Sequence, residues 1–170
     1  MALLKIYNCL EPVLRKKAAL VENIDGRLVE LTQSMTETMF DAPGAGLAAN
    51  QIGEPISLFV VDMGIQTDKR DPIVVVNPII SASEDQVLDE EGCLSIPEVF
   101  AKVWRSNKVE LKGYSLDQKE IRYEAEGYLA RAIQHEMDHL DGKLFWDNLG
   151  KAKRDLLKTR FKKKLKEMKA

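Results

Sequence analysis

The chain has only two histidines and two cysteines among its 170 residues. Two cysteines are too few for the disulfide framework of a small secreted domain. Cys9 reads as a small buried apolar residue. No apolar run approaches the ~20 residues that a membrane helix needs. The opening stretch MALLKIYNCLEPVLRKK lacks the long apolar core and small-residue cleavage site of a signal peptide. It reads instead as a strand or extended arm packed on the body, and a cytoplasmic protein without membrane contact is expected. No repeat, linker or low-complexity block divides the sequence, so residues 1–170 read as a single domain. A hydrophobic content of 45% and a charged content of 31% support one packed core and exclude wholesale disorder. The net charge of -2 is unevenly spread: residues 151–170 carry +8 and the remainder -10. An acidic body with a basic tail argues against free-standing binding to DNA. A monomer is expected.

Proline and glycine punctuate what remains. Residues 12–20 read as a helical turn or two starting at Pro12. Residues 26–40 read as a longer helix, with Leu28, Leu31, Met35 and Met39 recurring at steps of three and four. Asp41-Ala42-Pro43-Gly44 stops it. GAGLAANQIG (44–53) is a small-residue segment, and 56–63 and 72–80 are β-branched runs of strand length. Residues 81–98 are polar and acidic around EEGCLSIPE, and 109–127 read as a hairpin turning at Leu116-Asp117-Gln118-Lys119. Helices are expected over 127–140 and 149–168. Strands in the middle and helices at the ends make the class α+β.

Both histidines fall in AIQHEMDHLDG. Residues four apart share a helix face, so His135 and His139 present two imidazoles to one point with Glu136 beside them. This is the H-E-x-x-H arrangement of two metal ligands and a general base. A catalytic metal of this kind takes three protein ligands and keeps one position open. No third histidine remains, and Phe145 stands where a metzincin has one. Glu167 lies in the basic tail, and Asp141 faces away on a helix. Cys93, beside Gly92 on a tight segment, is a credible third ligand. An H-E-x-x-H endopeptidase, or a non-enzymatic RNA-binding protein with a structural metal, are the competing readings.

GAGLAANQ, EGCLS and QHEMDHLDG resemble, in order, the three signature motifs of peptide deformylases, and the likeness runs across nearly the whole chain. The C-terminal helix looks like that of the bacterial type 1 branch. The resemblance implies mostly antiparallel, mixed sheets around a central helix carrying the histidine motif. It implies removal of the N-formyl group from the initiator methionine of nascent chains. Cys93, His135 and His139 would hold the metal, usually Fe²⁺ in this family, with Zn²⁺, Ni²⁺ or Co²⁺ able to substitute. Glu136 would take a proton from the water on that metal. The Gln51 amide and the Leu94 backbone N–H would stabilise the oxyanion. Gly44, Ala45, Gly46 and Leu47, with Glu91 and Gly92, would hold the substrate backbone by strand addition. Tyr128, Arg131 and Ala132 precede His135 on its side of the helix and would line the pocket for the first side chain. Arg131 departs from the apolar residue that the family commonly has there. Either its stem lines the pocket while its head reaches solvent, or the pocket is altered. Arg105 is expected to pair with Glu91. Leu149, Ala152, Leu156, Phe161, Leu165 and Met168 form an approximate apolar stripe on the final helix. Its basic faces suit either plain solvation or contact with ribosomal RNA.

Overall fold

The computed structural model describes residues 3–169; Met1, Ala2 and Ala170 lie outside the described residues. Helix α1 (Gly26–Asp41) starts where the Asp25 carboxylate accepts a hydrogen bond from the Leu28 N–H at 2.9 Å, which satisfies an otherwise orphaned donor. It buries Leu28, Met35 and Met39 against the sheet. Five strands follow: β1 (Gly46–Ala48), β2 (Leu58–Asp62), β3 (Pro72–Cys93), β4 (Ile96–Tyr114) and β5 (Glu120–Glu126). They form one sheet in the order β1-β2-β3-β4-β5, antiparallel throughout. The parallel pairing found among the described residues is an isolated bridge between Ala19 and Ile56. The α+β expectation holds, with a single sheet. Helix α2 (Tyr128–Leu140) lies against the sheet through Leu129, Ala130, Ile133 and Leu140, which pack with Phe59, Val61, Val75 and Leu111. Helix α3 (Lys151–Lys169) closes a separate cluster. No helix among the described residues is long and apolar enough to cross a membrane.

Three expectations change. Residues 12–20 make only one 3₁₀ turn, Pro12–Arg15. Beyond it the backbone is captured by neighbours: the Ala18 N–H donates to the Leu140 carbonyl and the Ala19 N–H to that of Pro55, which pulls the chain out of helical pairing. Residues 81–93, within the stretch 81–98 read only as polar and acidic, continue β3. Residues 82–90 are exposed on both faces, so no alternation marks the strand. Its evidence is the pairing itself, from Ala82 opposite Glu110 to Glu91 opposite Ala101. On α3 the buried stripe is Leu157 and Phe161, with Leu165 partly buried, whereas Leu156 and Met168 face solvent. Steps of four from Leu157 place it one residue around the helix from the stripe read in the sequence.

Candidate active site

The site forms where the end of β3 meets the middle of α2. The Nε2 atoms of His135 and His139 are 3.1 Å apart, and the Cys93 Sγ is 3.3 Å from the latter. The three ligand atoms all lie within 4.8 Å of one another. Cys93 sits in the tight connection to β4, where the Ser95 N–H points at its sulfur at 3.4 Å. Three donor atoms with their lone pairs turned on one another at such distances call for a cation between them, and the thiolate–imidazole set suits a borderline-soft divalent metal. The residues present fit that group.

Buried charge orients the ligands. The His135 Nδ1–H donates to Glu91 Oε2 at 2.7 Å, which turns Nε2 toward His139 and the ligand cluster. Arg105 grips the same carboxylate through Nε (3.0 Å) and Nη2 (2.8 Å), and reaches Asp138 with Nη1 at 2.6 Å. Burial alone would raise the Glu91 carboxyl. The hydrogen bonds from His135 and Arg105 outweigh it and hold the group down at about 2. The expected Arg105–Glu91 pair is therefore present, and it extends to α2 through Asp138. Breaking it frees the His135 ring. Arg105→Met should lower metal affinity by about 10- to 100-fold, as read by competition with a chelator. Affinity equal to the wild type would remove this relay from the site.

Beside the ligands opens a cavity of about 500 Å³. Gly44, Ala45 and Gly46 line it, as do Glu91, Gly92 and Leu94. Tyr128, Arg131 and Ala132 border it next to His135, as the helix spacing predicts. Leu47 does not reach it and is buried under α1 with Met35 and Met39. Glu136 lies at the cavity, 3% exposed, with Oε2 unpartnered. Burial pushes its carboxyl up to about 7, against the lowering pull of the neighbouring His135. Gly46 is required by this carboxylate: a Cβ there would stand 2.8 Å from Glu136 Cγ and 2.9 Å from Oε1. Gln51 is held by its own turn, since its Oε1 accepts from the Ala48 N–H at 2.9 Å. That fixes Nε2 on the other side, 3.1 Å from Ser95 Oγ and 3.8 Å from Cys93 Sγ. Arg131 departs from the first of its two expectations. Its head does not reach solvent: the residue is 7% exposed, and Nη2 donates to the carbonyls of Asp89 (2.8 Å) and Glu90 (3.3 Å). The guanidinium clamps α2 to β3 because two strand carbonyls stand over it.

The family described as polypeptide deformylase matches residues 3–155. The chain is 52% identical over 167 residues to a peptide deformylase of Syntrophobacter fumaroxidans, covering 98% of each. It is 45% identical to that of Thermodesulfovibrio yellowstonii, over 96% of this chain and 99% of the other.

The chain belongs to the peptide deformylase family.

Solved peptide deformylases share its fold. That of Legionella pneumophila superposes with a TM-score of 0.92 at 41% identity, covering 98% of both chains. That of Synechococcus elongatus, in complex with actinonin, gives 0.83 at 39%, over 89% of this chain and 83% of the other. Peptide deformylases are metalloenzymes that remove the N-formyl group from nascent polypeptides, and this chain is a hydrolase of that kind. Sequence reasoning missed several residues that serve the deformylase site. Asn50 donates from Nδ2 to the His139 carbonyl. Gln134 staples α2 to β4 by accepting from the Ser106 N–H (2.9 Å) and donating to its carbonyl (2.7 Å). Asp138, inside the histidine motif, anchors Arg105. Only the last had a cue, as an acid on the far face of a ligand-bearing helix.

Proposed function

We propose that Cys93, His135 and His139 hold the metal, that Glu136 is the general base, and that Gln51 Nε2 and the Leu94 N–H stabilise the oxyanion. The observation that carries this reading is Glu136, buried, half-unpartnered and poised near neutral pH beside both the ligand cluster and the cavity. A bound divalent metal supplies Lewis-acid activation of water and of the formyl carbonyl. The substrate backbone lies extended between Gly44–Gly46 and Glu91–Gly92. Glu136 accepts the proton released as water adds to the formyl carbon. The oxyanion that forms takes hydrogen bonds from the fixed donors. Glu136 then passes the proton to the departing amine as the C–N bond breaks, giving formate and a free N-terminus. Methionine fits the pocket beside Tyr128, Ala132 and the Arg131 stem.

The metal in the cell is Fe²⁺ on this reading, with Zn²⁺, Ni²⁺ or Co²⁺ able to stand in. Metal analysis of protein purified without air tests it; a stoichiometric metal other than iron rejects it. The chain acts as one domain, as a monomer and in the cytoplasm, where formylated chains are made.

The basic helix is proposed to touch ribosomal RNA. Deleting it is a poor test, because Leu157 and Phe161 pack with Trp146, Leu14 and Ile96 in the core. Lys162, Lys163 and Lys166 are exposed. Replacing all three with Glu should weaken co-sedimentation with ribosomes at low salt and flatten its salt dependence. Co-sedimentation equal to the wild type at every salt concentration would leave the helix a solvated cap.

A further inference from the structure

The outer face of the β3–β4 hairpin carries large apolar side chains that stand exposed among the described residues. Phe100 is 58% exposed, Trp104 60% and Leu88 43%. Along β4 these alternate with Val99, Ala101 and Val103, which are buried in the core, so Phe100, Lys102 and Trp104 share the outer face. Leu88 lies directly opposite Trp104, and Glu90 opposite Lys102. The result is an apolar strip with one opposite-charge pair across its middle. Exposed Phe and Trp together on a flat strand face are unusual on a surface that meets only water.

The strip begins inside the cleft. Phe100 lines the cavity, and Gly92, also in its lining, leaves room for its ring. A Cβ on Gly92 would come within 2.5 Å of Phe100 Cε1. Trp104 lies four residues farther along the strand, about 13 Å away at the usual rise. An extended peptide advances by the same rise. A chain leaving the cleft past Phe100 therefore needs about four more residues to reach Trp104.

We propose that this face is a docking strip for the substrate's own downstream residues, and that it favours nascent chains carrying apolar side chains after the first three positions. The proposal rests on the cleft holding the formylated end. Continuity with the cleft selects this occupant. A second copy of the chain would have no reason to begin its contact at the cavity wall.

The test compares kcat/KM for formyl-Met-Ala-Ser with two formylated octapeptides that extend it, one with Leu and one with Ser at the added positions. The enzyme is the metal-loaded full chain, as wild type and as Trp104→Ser. Trp104 is exposed and does not line the cavity, so the fold should survive its loss. The expected result is a Leu-octapeptide preference of about 5- to 10-fold over the tripeptide in the wild type, the scale of one good aromatic contact. Trp104→Ser should abolish it while turning over the tripeptide at the wild-type rate. A wild type that cleaves all three peptides equally overturns the strip and leaves the active-site reading intact. So does an equal loss on all three peptides in the variant. A concentration-dependent dimer that the variant dissolves, with no length effect, overturns it by giving the strip to a second copy.

Discussion

Glu136→Gln should lower kcat by about 10²- to 10⁴-fold, the range for losing a general acid–base group. Metal content should stay at the wild-type level, because the ligand atoms belong to Cys93, His135 and His139. Glutamine has the shape to keep the close packing against Gly46. What it lacks is a basic oxygen beside the cavity. Stability separates this from misfolding. The carboxyl is raised to about 7 in the fold because burial opposes its charge. The native state therefore binds more protons than the unfolded chain between about 4.5 and 7, and stability falls as pH rises through that window. Glutamine removes this cost, so the variant should melt no lower than the wild type at neutral pH. Full activity in a stable, metal-loaded variant would place the base elsewhere.

Gln51→Ala should lower kcat by about 10²- to 10³-fold with little change in KM, as for the loss of one oxyanion donor. Sequence alone allows a humbler role, a side-chain amide serving its own turn. The structure shows both roles at once. Oε1 serves the Ala48 N–H, and that bond aims Nε2 toward Cys93. A purely local role predicts a lower melting temperature with kcat preserved. The catalytic role predicts that kcat falls far more than the small loss of stability can explain.

How legible the site was depended on how local its signal was. His135, Glu136 and His139 lie within one helical turn and a half, so their convergence follows from helix geometry alone. Cys93 required long-range pairing, yet ligand counting pointed to it because no histidine remained. The pairing of Arg105 with Glu91 was visible as a pair of opposite charges, but its extension to Asp138 was not, since it depends on β4 packing against α2. The direction of the Arg131 head was misread for a similar reason. A helical wheel places its stem correctly, but the carbonyls of Asp89 and Glu90 that hold the guanidinium belong to a strand 41 and 42 residues away. That strand was itself hidden. A ribbon exposed on both faces shows no period of two, so nothing in residues 82–90 announces the partner that they find in β4. The same concealment kept the Phe100–Leu88–Trp104 face out of view until the register was known.

One measurement tests the central claim most directly. Protein purified without air and loaded with Fe²⁺ is given formyl-Met-Ala-Ser, and formate, free amine and any shorter fragments are quantified together. The account predicts formate and free amine in equal amounts, no internal cleavage, loss of both products when a chelator strips the metal, and their return when Fe²⁺ is restored. Shorter fragments without formate would make the chain an endopeptidase and contradict it, and so would formate release that survives complete removal of the metal.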